Sequence, residues 1–159
     1  MGYEKAVEWN GLIGAFGFIV TFSIAFYLAK LAKKHGAKMI HFACLLFGAI
    51  SFLWFPTIQN QYVFFAVIIG YGIAWASMMG IPYLMVVAVV PKERYGVYMG
   101  IINMMIVIPM IIQNLSFGYI LKNFLDNDPR QAISFAGVLL MLAAICTLLI
   151  KIKNTKVSE

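Results

Sequence analysis

Carboxylates are scarce in this chain: six Asp and Glu among 159 residues, and none inside a hydrophobic run. Glu4 and Glu8 precede the first run, Glu93, Asp126 and Asp128 lie in turns, and Glu159 ends the chain. Without an acid in an apolar stretch there is no paired-carboxylate site for general acid–base work, and no intramembrane Asp or Glu to carry a proton. Cysteine is equally sparse. Cys44 and Cys146 sit far apart, each within an apolar run, so neither a disulfide framework nor a metal site is indicated. H-E-x-x-H, G-x-S-x-G and a phosphate-cradling glycine loop are missing too, which argues against an enzyme and leaves no cofactor to expect.

What the chain has is apolar surface: 63% of it is hydrophobic and only 11% charged, with 13 Phe and 10 Met. A water-soluble domain could not enclose so much. The apolar runs lie at about 11–29, 39–55, 62–90, 97–121 and 131–150. Runs of about 20 residues match the hydrocarbon thickness of a bilayer, and none alternates as a barrel strand would. The expectation is an all-α membrane protein, one membrane domain over 1–159 with five transmembrane helices in a lipid bilayer. The net charge of +6 sits in short turns with no basic face interleaved with aromatics, so no nucleic acid is expected as a partner.

Those turns alternate in charge. KLAKKHGAK carries four Lys, PTIQNQ none, PKERYG has Lys92 and Arg94, KNFLDNDPR offsets two cations with two Asp, and the tail has three Lys. Cytoplasmic turns concentrate Lys and Arg, so the first, third and last connections are expected inside. The N-terminus then lies outside and the C-terminus in the cytoplasm, across a plasma membrane such as a bacterial inner membrane. An odd number of spans with an outside N-terminus and no export signal leads to the expectation that part of the protein lies upstream, with residues 3–10 forming an external loop between helices. The first run is too long for a signal-peptide core and has an acidic flank.

The runs differ in polarity. The second and fifth carry few polar residues, as helices facing lipid would. The third holds Tyr71, Trp75 and Pro82, which at offsets of four and eleven share a helical face; in the fourth, Asn103 and Asn114 share a face, with Gln113 beside it. Polar side chains in a bilayer turn toward other helices or a watery cavity. Packing and an interhelical hydrogen bond are the plain readings of these residues, and cavity lining the sharper one. Pro82 cannot donate to Met78, nor Pro109 to Met105, so both are candidate hinges. Gly96 and Gly100 open the fourth run with a small-xxx-small face for helix packing. His41 reads as an interfacial residue of a lipid-facing span rather than a relay.

PKERYGVYMGIIN followed by Pro109, GIAWASMMGIPYLM in the run before it, and the basic LAKKHGAK turn together resemble the C-terminal half of a major facilitator superfamily transporter. More narrowly, they are similar to sucrose/maltose-type and glycoside-pentoside-hexuronide cation symporters. The resemblance covers nearly the whole chain, as helices 8 to 12 of a twelve-helix fold, that is, a C-terminal bundle lacking its first helix. It implies a secondary active transporter for a small polar solute, a sugar or glycoside, coupled to protons and completed by an N-terminal half. Runs one, three and four would then line the central cavity, with Thr21, Ser23, Tyr71, Trp75, Asn103 and Asn114 facing the substrate. Two positions depart from the pattern: Ala32 and Lys33 stand where an acidic residue is often found, and Met110 follows Pro109 in place of a polar one. The competing expectation is a small scaffolding membrane protein that oligomerises through Gly96 and Gly100.

Overall fold

A computed structural model describes residues 2–151; Met1 and residues 152–159, including the tail lysines Lys153 and Lys156, lie outside the described residues. Five long helices follow one another: α1 (Gly2–His35), α2 (Ala37–Trp54), α3 (Phe64–Val87), α4 (Tyr95–Phe124) and α5 (Pro129–Leu149). All five are long and apolar enough to cross a membrane. Each hydrophobic run therefore forms one helix, the structure that satisfies every backbone group without water.

Residues 3–10, expected as a loop, are instead helical and extend α1 to 34 residues. The stretch YEKAVEWN contains no proline or glycine to stop a helix, and Glu4 in the first turn complements the positive end of the helix dipole. At about 1.5 Å per residue α1 reaches about 50 Å, well beyond a ~30 Å hydrocarbon core. Its charged ends accordingly project past the apolar layer. Gly36 alone joins α1 to α2, with φ at 91°, a left-handed conformation that a side chain would strain.

Successive helices run in opposite directions. Lys38 at the start of α2 donates to the carbonyls of Leu148 and Ile150 at the end of α5, both at 2.8 Å. Trp9 of α1 meets Tyr62 and Phe65 at the start of α3, edge to face. The KLAKKHGAK and PKERYG turns and the end of α5 therefore share one end of the bundle, the basic end. Asp128, whose side chain caps α5 by accepting from the Arg130 N–H at 2.9 Å, lies at the other.

The close contacts are made by small residues. A Cβ on Gly70 of α3 would overlap the Ser51 side chain of α2, and one on Gly48 of α2 would come within 2.5 Å of the Ala74 Cβ. Between helices in lipid there is no hydrophobic driving force, so close backbone approach is what holds them. α2 thus sits between α3 and α5, while α1 packs along α3. α2, expected to face lipid, does so on one side only: Met39, Phe47, Ile50, Leu53 and Trp54 are exposed, while its opposite face is packed between α3 and α5. Cys44, Leu45, Gly48, Ala49 and Ser51 are all buried in it. α4 is the opposite case, with Ile102 its one buried residue.

Candidate functional site

Of the six nominated substrate-facing residues, the structure joins two directly. Tyr71 and Trp75, one turn apart on α3, stack with centroids 5.8 Å apart, and Phe52 of α2 extends the column by stacking on Tyr71 at 5.7 Å. The column lies on the outer flank of the α2–α3 contact, with Tyr71 half-buried and Trp75 exposed. Tyr71 also lines a cleft of about 720 Å³ at the end of the bundle opposite the basic turns. Its walls are mainly aromatic and aliphatic, from Trp9, Phe52, Phe55, Phe64 and Ile68, with Asn10 and Gln61 supplying amides. None of the other five nominated residues lines it.

Asn103 and Asn114 are exposed, as are nearly all residues of α4, with Gln113 exposed next to Asn114. Asn103 is tied back to α3, where the Tyr83 hydroxyl donates to its Oδ1. Tyr83 was not among the nominated residues; its position one residue after Pro82 was the available signal. Asn114, eleven residues further along, is about 16 Å from Asn103 at the helical rise. One face of α4 therefore carries an amide at two levels.

Thr21 and Ser23 part company on α1 because residues two apart lie on different faces of a helix. The Thr21 hydroxyl turns into the α1–α3 crossing, 2.9 Å from the Gly17 carbonyl and 3.3 Å from that of Gly72. Ser23 is exposed. The prolines do not interrupt their helices: α3 runs on through Pro82 and α4 through Pro109. Gly96 and Gly100, expected as packing residues, meet nothing within 4 Å where a Cβ would stand. Among the described residues, close approaches of that kind are made at Gly48, Gly70, Gly72 and Gly137.

His41 lies in the second turn of α2, close to the basic end, but its ring does not turn outward. It turns instead toward α3, with Nδ1 2.8 Å from the Oγ of fully buried Ser77. The other buried polar side chains are satisfied locally, Ser51 on the Phe47 carbonyl at 3.0 Å and Thr147 on the Ala143 carbonyl at 2.9 Å. No buried side-chain nitrogen or oxygen among the described residues lacks a partner. The interior is internally satisfied, and polar side chains left to meet anything else among the described residues include Ser23 of α1, Gln113 and Asn114 of α4 and the amides around the cleft.

A bundle of alternating, internally satisfied, membrane-length helices defines a multi-pass membrane protein. Its sequence says which: residues 1–114, more than two thirds of the chain, match the Major Facilitator Superfamily, and the chain belongs to that superfamily of membrane transporters. The match runs from α1 through α4 as far as Asn114, so it includes every nominated residue. Neither the curated proteins nor the solved structures provide a match.

Proposed function

We propose that this chain forms one wall of the alternating-access cavity of a secondary active transporter, a proton-coupled symporter for a sugar or glycoside. Superfamily membership supports the transport reading. The observation that carries the position of the wall is the amide-bearing face of α4, where Gln113 and Asn114 are exposed mid-helix and Asn103 meets the Tyr83 hydroxyl. In lipid, uncovered amides are costly; lining water, they supply the paired donors and acceptors that hydroxyl-rich solutes require. The Tyr71–Trp75 stack offers a flat apolar surface for the C–H face of a sugar ring. Ser23 adds a hydroxyl, and Thr21, already bonded to the Gly17 and Gly72 carbonyls, contributes chiefly by fixing α1 against α3.

In this reading the wall corresponds to the C-terminal half of the transporter without its first helix, and it rocks against an N-terminal half that supplies the facing surface. Pro82 and Pro109 leave carbonyls unpaired where α3 and α4 can bend. The basic end faces the cytoplasm, in accord with the positive-inside rule, in a plasma membrane such as a bacterial inner membrane. Uptake of a panel of radiolabelled sugars and glycosides by cells or vesicles making the complete transporter provides the test. Asn103→Ala and Trp75→Ala should each weaken apparent affinity by about 3- to 10-fold, the value of one or two hydrogen bonds or a lost stacking surface. Unchanged affinity in both variants would remove these residues from the site.

A further inference from the structure

Across the five hydrophobic runs a single side chain is drawn from the His, Asp, Glu, Lys and Arg set, and it is His41. It is the fifth residue of α2, about 6 Å along the helix from its first residue at the basic end. Its ring is half-buried, near enough to the interface to exchange protons with water, yet its Nδ1 is spent on a group with no exposure at all. Ser77 is 0% exposed and lies 2.8 Å from that nitrogen. The pair spans the α2–α3 joint, the same joint that Gly48, Ser51, Gly70 and Ala74 close further along.

A neutral imidazole can accept at Nδ1 from the Ser77 hydroxyl while Nε2 carries the ring proton. When the Nδ1 lone pair takes up a proton, the polarity of the bond must reverse: Nδ1–H becomes the donor, Ser77 Oγ the acceptor, and the hydroxyl proton has to find another partner. Protonation also sets a full positive charge in the joint. Among the described residues, none of the helices packed against it brings a carboxylate to this end of the bundle, and Glu93, the one acid there, lies in the turn beyond α3. On α2 itself the neighbours are Cys44 and Lys38, whose ammonium is engaged by the Leu148 and Ile150 carbonyls. α3 has no charged residue and brings only Tyr71 and Tyr83; α5 brings Cys146 and, at its far end, Arg130; α1 brings Lys30, Lys33, Lys34 and His35 at the basic end, with Glu4 and Glu8 at the other. An unpaired charge at such a contact is disfavoured.

We propose that His41 and Ser77 form a proton-binding joint between α2 and α3, in which uptake of one proton by the imidazole reverses the Nδ1–Oγ hydrogen bond and loosens the packing of the two helices. The joint belongs to the bundle itself and does not depend on which solute, if any, the chain carries. It also gives a helical wall devoid of intramembrane carboxylates one site that responds to proton concentration.

The test uses the full chain in lipid nanodiscs, in a His35→Asn background that leaves His41 as the sole imidazole. On acidification from about pH 8 to about pH 5.5, a range that spans histidine titration, the thermal midpoint should fall by several degrees. His41→Gln in the same background should show no such fall, and Ser77→Ala should displace the NMR titration midpoint of the His41 imidazole by about half a pH unit or more. An equal fall in the His41→Gln protein, or an imidazole titration that Ser77→Ala leaves unmoved, overturns the proposal. Should His41→Gln not yield folded protein, the Ser77→Ala titration decides by itself.

Discussion

α3 and α4 are built from similar materials. Each carries an internal proline, several glycines and polar side chains on one face, yet α3 has 39% of its most apolar window buried and α4 only 6%. The difference lies in what stands opposite the small residues. Gly70 of α3 faces Ser51, and Gly72 faces Gly17 and Thr21, so missing side chains become close backbone contacts. Gly96, Gly100 and Gly118 of α4 face open space. Their polar groups follow the same division: Ser77 of α3 is consumed by His41, whereas Asn114 of α4 stays exposed. Similar composition thus gives a structural helix in one case and a presenting helix in the other.

Substitutions can break that contrast. Gly70→Leu should have the largest effect, since the new side chain must displace Ser51 from the α2–α3 contact. A loss of about 3 kcal/mol, at the upper end of overpacking, is expected in denaturation of the detergent-solubilised protein. Tyr83→Phe removes the hydroxyl that ties α4 to α3 through Asn103 and should cost about 0.5–1.5 kcal/mol, read by the same denaturation. Gly100→Leu should be smallest, within about 0.5 kcal/mol of the parent, because nothing lies within 4 Å of its added carbon. A Gly100→Leu cost as large as that of Gly70→Leu would show the α4 face to be covered by another helix.

The number and type of elements were legible because a bilayer leaves few choices: an apolar run long enough to cross must become a helix. Arrangement was less legible. α2 looked lipid-facing for want of polar side chains, yet one side of it is packed between α3 and α5: in a membrane hydrophobicity does not separate interior from exterior, since lipid is as apolar as leucine. Residue size does, and the small residues Gly48, Ala49 and Ser51 were the better guide. The extension of α1 over residues 3–10 was hidden by charge, which ends a membrane run without ending a helix.

At the candidate site, helical periodicity placed Tyr71 beside Trp75 and set Asn103 and Asn114 along one side of α4, because both rest on spacing within a single helix. Tertiary partners escaped it. Neither the turn of Thr21 into the Gly17–Gly72 crossing nor the pairing of His41 with Ser77 has a local signature, since the partner lies on another helix in each case.

Thiol labelling along α4 tests most directly whether its amide face meets water. In a background with Cys44 and Cys146 replaced, single cysteines are introduced as Asn103→Cys and Asn114→Cys on one side of the helix and as Met105→Cys and Ile112→Cys about half a turn away. The protein in lipid is then treated with a membrane-impermeant maleimide. Rapid labelling at 103 and 114 with little at 105 and 112 is the predicted result; equal labelling of the four positions, or none at 103 and 114 in any state of the transporter, would contradict it.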